Sequence, residues 1–188
     1  MNPKFRTSIV AILILALIVA TILALVSAPA HPLTWLLVVL LILLPTINQK
    51  LVSVRRVEWK PEYSVGIDSI DAQHKTLIEL INKLQNAVDF ATGRDFELAA
   101  LDELVNYTLT HFRYEEDLMK KHGYPSFEAH RAEHAKMVTR VDRLLEEYRA
   151  DEDLAMRKAL AFVKDWLINH INGTDQQYSD FLIEKGVR

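Results

Sequence analysis

His111 and Glu115 stand four residues apart in NYTLTHFRYEEDLM, the stretch Asn106–Met119. Leu104, Tyr107, Phe112, Leu118 and Met119 recur around them at helical spacing. Four residues make one helical turn, so imidazole and carboxylate share a face with apolar side chains. A carboxylate is rarely buried without a partner, and a metal ion suits both groups. Alone, such a pair is more often a surface ion pair. His130 and His134 repeat the four-residue spacing, and His74 and His170 fall on apolar faces of two further amphipathic segments. Asp175 lies five residues beyond His170. A continuous α-helix would rotate that carboxylate off the shared face, and Asn172-Gly173 between them supplies a break that swings it back. His31 and His122 receive no role.

One buried histidine is ordinarily a satisfied core residue. Five imidazoles and two carboxylates in one small core would each cost about 1–3 kcal/mol if left unpaired. One ion cannot accommodate all seven. Two ions can, if both carboxylates bridge and a solvent-derived oxygen adds a third bridge. Three imidazoles then complete six-coordination at one ion, and two leave the other with an open position. Imidazole and carboxylate without thiolate suit iron, zinc or manganese. No histidine has a glutamate three residues before it, which disfavours the carboxylate-rich di-iron bundles. HExxH is absent as well.

Four amphipathic helices position these residues. The first runs from about Ser69 to Phe90, with Asp68 as N-cap and Asp71 at the third helical position. The second runs from about Phe96 to Lys121 and stops at Gly123. The third runs from about Phe127 to Tyr148 behind Ser126, and a polar turn, Ala150–Asp153, leads to a fourth from about Leu154 to Ile171. Trp59–Ile67, with Pro61 and Gly66, reads as an irregular arm before them. Short connections between four such helices predict an all-α, up-down-up-down four-helix bundle.

The rest of the 188 residues differ in kind. Residues 8–47 contain no Lys, Arg, Asp or Glu. Forty uncharged helical residues span about 60 Å, two crossings of a roughly 30 Å hydrocarbon core. The expectation is two transmembrane helices forming a hairpin over residues 1–50, Ile9–Val26 and Leu33–Leu44 extended to Ile47, with the bundle over 51–188. A cleaved signal peptide is the competing reading, because Ala28-Pro29-Ala30 resembles a processing site. Lys4 and Arg6 before the hairpin and Lys50, Arg55 and Arg56 after it place both ends in the cytoplasm. The localisation expected is therefore two-pass in a bacterial inner membrane, with the bundle on the cytoplasmic side. Ala16, Ala20 and Ala24 form a small-residue stripe that suits helix pairing within or between chains, including a homo-oligomer. The net charge of -3 and the lack of a basic face argue against nucleic acid. The chain has no cysteine, which excludes disulfides, thiolate metal sites and cysteine nucleophiles.

From Trp59 to Tyr178 the sequence resembles the bacterial hemerythrins. The resemblance rests on Trp59, Tyr63, Val65-Gly66-Ile67, Ile70-Asp71 and Gln73-His74, then His111-Phe112, Glu115-Glu116 and Leu118-Met119. Gly123-Tyr124-Pro125, His130, His134, Trp166-Leu167, His170-Ile171 and Asp175 complete it. The resemblance implies two non-haem iron ions with an oxo or hydroxo bridge, binding O2 reversibly. By it, His130, His134 and His170 hold the coordinatively full iron, and His74 and His111 hold the iron that takes O2. Glu115 and Asp175 bridge the pair, while Leu77, Phe112, Leu167 and Ile171 line the dioxygen pocket. The function expected is a membrane-tethered O2 carrier or store, not an enzyme, supplying a membrane oxidase or oxygenase. An O2, nitric oxide or redox sensor acting through a partner protein is the alternative, ahead of a peroxide- or nitric-oxide-handling enzyme and an assembly protein.

Overall fold

A computed structural model describes residues 3–53, 56–90, 92–150 and 152–188, the side chains of 3–7, 48–53, 149–150 and 152–155 excepted. The chain divides into two compact units, Met1–Arg56 and Val57–Arg188.

In the first unit, α1 (Pro3–Ser27) and α2 (Pro32–Ser53) pack against each other across a tight turn. Thr34, at the start of α2, is buried, and its hydroxyl donates to the Ala28 carbonyl at 2.8 Å. Thr21 donates to the Leu17 carbonyl at 2.7 Å, so neither hydroxyl interrupts the apolar surface unpaired. Leu17, Ile18 and Ala24 are half-buried beside Thr21, whereas Ala16 and Ala20 are exposed. Most of the small-residue stripe therefore lies off the α1–α2 contact. Leu13, Leu23, Leu36 and Ile42 are exposed too.

The expectation of two spanning helices is not supported: among the described residues one helix qualifies, by length and composition. Within α1, Ser8–Ser27 is long and apolar enough to cross a membrane, at 20 residues. The apolar part of α2, Pro32–Ile47, is shorter than a span needs, because Asn48, Gln49 and Lys50 follow it. The charged side chains of Lys4, Arg6, Lys50 and Arg55, which carry the topology signal, lie outside the described residues.

The second unit contains α3 (Asp68–Asp89), α4 (Arg94–His122), α5 (Phe127–Ala150) and α6 (Glu152–Asn169). Beyond α6 the helix continues through a π-helical turn, His170–Asp175, into α7 (Gln176–Glu184). Successive helices are neighbours and α6 returns to α3, which closes the up-down-up-down bundle. Asp151, in the expected turn between α5 and α6, lies outside the described residues. Gly123 ends α4 in the left-handed region at φ 72°, where its N–H and that of Tyr124 return to carbonyls of the last turn.

Two expectations about helix ends fail. Ile67, not Asp68, occupies the N-cap of α3, and no side chain caps it. The Asp71 carboxylate turns instead toward the arm, accepting the Val65 N–H at 2.8 Å and the Ser64 hydroxyl. The arm offered better partners than the helix end did. The predicted break at Asn172-Gly173 is also absent, since the helix runs on in a wider register.

The arm is strapped down at both ends. Asn82 of α3 accepts from the Val57 N–H at 2.9 Å and donates to its carbonyl at 2.8 Å. Ser179 of α7 donates to the Val65 carbonyl at 2.6 Å. At Gly66, with φ 69°, a Cβ would come within 3.1 Å of Ile183 Cδ1, so turn and packing both call for glycine.

Two apolar clusters bracket a polar layer. The larger holds Leu77, Phe112, Met137, Leu167 and Ile171 among others, and the smaller holds Ile70, Met119 and Tyr178. Along α3, His74 falls between Ile70 and Leu77. Along α4, His111 and Glu115 precede Met119, and on the α6–α7 helix His170 and Asp175 fall between Leu167 and Tyr178. All seven predicted ligand residues lie in that layer, and all are buried.

Candidate metal centre

Each helix delivers its ligand side chains by a simple register. His111 and Glu115 on α4, and His130 and His134 on α5, use the four-residue spacing. His170 and Asp175 are the two ends of the π turn. In that register the hydrogen bonds run i to i+5. Residues five apart then stack as residues four apart do in an α-helix, so His170 Nε2 approaches Asp175 Oδ1 to 3.0 Å.

The two carboxylates lie between two unequal sets of imidazoles. Glu115 Oε1 is 3.7 Å from His74 Nε2 and 3.6 Å from His111 Nε2. Its other oxygen, Oε2, is 3.6 Å from His130 Nε2 and 3.4 Å from His134 Nε2. Asp175 repeats this division: Oδ2 is 3.3 Å from His74 Nε2, while Oδ1 faces His130 at 3.6 Å and His170 at 3.0 Å. Each carboxylate offers one oxygen to each set. One set has three imidazoles and the other two.

The donor spacing fits metal ions. Nε2 of His134 lies 3.1 Å from Nε2 of both His130 and His170. Donors about 2.1 Å from one ion are about 3.0 Å apart along an octahedral edge and about 3.4 Å apart along a tetrahedral one. The donor spacings of 3.0–3.6 Å around this position bracket both values, so the set is compact enough for one ion. Glu115, His130, His134 and His170 form one group able to hold a metal, and His74, His111 and Glu115 form a second.

The buried polar atoms also need such a partner. His74 Nδ1 and Nε2, His111 Nε2, Glu115 Oε2 and both Asp175 oxygens are buried without a hydrogen bond. Leaving so many unpaired is costly, and five of these six atoms point into the two candidate ion positions. His74 Nδ1 is the exception and points at neither.

The two carboxylates stay ionised, as cation binding requires, whereas His74 must give up a proton to bind a metal. Burial pushes the Glu115 carboxyl up, but His111, His130, His134 and His74 outweigh it and hold it well below the usual range. Asp175 is likewise held low, because His170 and His74 outweigh burial and the neighbouring Glu115. Burial lowers His74, yet Asp175 and Glu115 raise it to about 9. At His111 burial prevails and lowers the imidazole to about 4.

Four residues around the ligands had no role assigned from sequence. Gln73 Oε1 lies 3.0 Å from His111 Nδ1, and Glu116 Oε1 lies 2.9 Å from His134 Nδ1. The Tyr178 hydroxyl donates to Glu115 Oε1. Trp166 stacks on the His170 ring at 4.2 Å. Helical periodicity could flag Gln73 and Glu116 only as neighbours of ligands, since their partners are other side chains brought close by folding.

The four predicted pocket residues, Leu77, Phe112, Leu167 and Ile171, are all buried in the larger apolar cluster. Phe112 also stacks on His134 at 3.7 Å with ring planes 5° apart, on the three-imidazole side.

Residues 65–182 match the family described as hemerythrin HHE cation binding domain. The chain belongs to the hemerythrin family. A bacteriohemerythrin of Stenotrophomonas maltophilia is 38% identical over 122 residues, covering 65% of this chain and 78% of that protein. A bacteriohemerythrin of Methylococcus capsulatus is also 38% identical over 122 residues, covering 64% of this chain and 92% of its own length. A crystal structure of wild-type hemerythrin superposes with a TM-score of 0.58 at 36% identity, over 67% of this chain and 97% of that one. Hemerythrins carry a di-iron centre that binds O2, and the cluster of this hemerythrin domain is able to hold that metal pair.

Proposed function

We propose that the chain is a membrane-tethered carrier or store of O2 that supplies a membrane oxidase or oxygenase. The observation that carries the O2 reading is the unequal division of imidazoles, three against two, about carboxylates that face both sets. In this reading His130, His134 and His170 fill one iron's coordination, and His74 and His111 leave a position free at the other.

When bound, the iron pair supplies reversible two-electron chemistry toward O2. The protein does the rest. Glu115 and Asp175 hold the two ion positions together. Gln73 and Glu116 fix the tilt of His111 and His134 from behind. Leu77, Phe112, Leu167 and Ile171, all buried in the larger apolar cluster, supply the dry apolar surroundings that this reading requires. Both carboxylates of the cluster face ion positions and the Tyr178 phenol is engaged with Glu115, which leaves none of them free to deliver a proton. That supports a carrier over an enzyme that cleaves the O–O bond.

Tethering is supported by the length and apolar character of Ser8–Ser27 and by the exposed apolar side chains of both helices. In this reading α1 spans the bilayer of a bacterial inner membrane, α2 returns beside it, and the bundle lies on the cytoplasmic side. Dioxygen is more soluble in hydrocarbon than in water, so a carrier held there loads where the supply is richest.

The test combines loading with delivery. Protein from iron-replete cells is reduced anaerobically and titrated with O2 while spectrum and iron content are followed. About two irons per chain and a reversible adduct are expected. Near one iron, or mostly zinc, overturns the di-iron carrier. For delivery, membranes holding the full chain are compared with membranes holding His74→Ala, which should stay anchored without loading O2. Equal respiration at limiting O2 overturns the supply role.

A further inference from the structure

The Tyr178 hydroxyl bonds to one particular oxygen of Glu115. It donates to Oε1, the atom facing His74 and His111, while Oε2, facing His130 and His134, has no hydrogen bond. Tyr178 is fully buried in the smaller apolar cluster, and its ring packs edge-on against His130 at 5.4 Å. Water therefore does not compete for this bond. Tyr178 lies three residues after Asp175, so the helix that brings in the second carboxylate also brings in the phenol.

We propose that Tyr178 is a positioning residue that makes the two halves of the centre electronically unequal by drawing charge from the Glu115 oxygen on the His74/His111 side. This rests on the di-iron reading above. A hydrogen bond to a free carboxylate is stronger than one to a carboxylate already neutralised by a cation. The phenol thus stabilises the unloaded Glu115 more than the loaded one and opposes metal binding, on the Oε1 side only. The ion held by His74 and His111 already has fewer protein donors, and it also faces the weaker oxygen. A metal held by weaker anionic donors is easier to keep reduced. The bond therefore favours the reduced state that O2 needs and slows oxidation of the resting centre.

The test is Tyr178→Phe in the full chain, which keeps the ring and removes the hydroxyl. Cobalt(II), which needs no O2, is titrated into metal-free parent and variant, and the two binding steps are followed by absorbance. Two sets of single-ligand variants, His111→Ala and His170→Ala, assign each step to its half. The expected result is about tenfold tighter binding at the His74/His111 half, the scale of one charged hydrogen bond, with the other half unchanged. In the iron-loaded protein the reduction potential should move to more negative values. Equal changes in both halves would mean that the hydroxyl acts only through packing, and no change in either would mean the bond is electronically silent. Either result overturns the proposal. A parent that takes up fewer than two cobalt ions overturns the di-metal reading as well, so the two failures are told apart.

Discussion

At the scale of single residues, His134 and His111 are held from behind by different acceptors. A carboxylate can only accept, so Glu116 requires a proton on His134 Nδ1 and leaves Nε2 free for a metal. Gln73 does the same for His111 through a neutral amide oxygen. Such contacts are typically worth about 10–100-fold in metal affinity. Glu116→Ala should weaken the three-imidazole half by that factor, and Gln73→Ala the two-imidazole half. Stepwise metal titration of the two variants checks this, and loss of the same step in both would contradict it. Leu167 is a separate case, buried one turn before His170. Leu167→Ala should cost about 2–5 kcal/mol of stability and leave a cavity open to water where polar groups meet it. Oxidation of the iron pair to its O2-inactive state should quicken while iron content holds. Timed spectra of the air-exposed variant beside the parent give the answer.

At the scale of elements, the turn at His170–Asp175 shows what the sequence revealed and what it hid. In an α-helix, five residues leave a side chain about 140° from its starting face. Asp175 was therefore a candidate ligand by chemistry but misplaced by geometry, and a glycine break was the natural remedy. The chain instead widens one turn to the π register. No local pattern announces that choice, because the tertiary structure makes it, by drawing His170 and Asp175 toward the other ligands. The candidate ligands on α4 and α5 were legible because the ordinary helical period already aligns them. Gln73, Glu116 and Tyr178 were not, because each has its partner on another helix. The supporting role expected of Asp71 at the start of α3 failed because its partners, Ser64 and Val65, lie in the arm before the helix. A prediction separates a π turn from a glycine hinge. A Cβ at Gly173 would meet nothing within 4 Å, and its φ is not among the positive ones. Gly173→Ala should therefore keep full metal loading and stabilise the domain by about 0.5–1 kcal/mol, the usual gain inside a helix. Thermal unfolding with metal analysis measures both, and a loss of metal would restore the hinge.

At the scale of the whole chain, the proposed membrane tether is testable through the side on which each end of the apolar segment would lie. Among the described residues α1 alone meets the length for a span, and the apolar part of α2 is shorter. Two arrangements follow, and they differ at defined positions. If both helices cross, the turn near Ala30 lies on the opposite side from the bundle. If only α1 crosses, Ala30 and the bundle lie on the same side. The natural chain has no cysteine, so single cysteines report without background. Ala30→Cys and Arg188→Cys would each be treated with an impermeant thiol reagent, first on intact cells and then on opened ones. The basic residues Lys4, Arg6, Lys50, Arg55 and Arg56 flank the apolar segment and none lies within it, which favours both flanks in the cytoplasm. The expected outcome is an Ala30 site that labels in intact cells and an Arg188 site that stays protected until the cells are opened. Labelling at both sites would mean a single crossing with the bundle outside. That result would leave the O2 chemistry of the domain intact and remove the proposal that it feeds the inner face of the membrane.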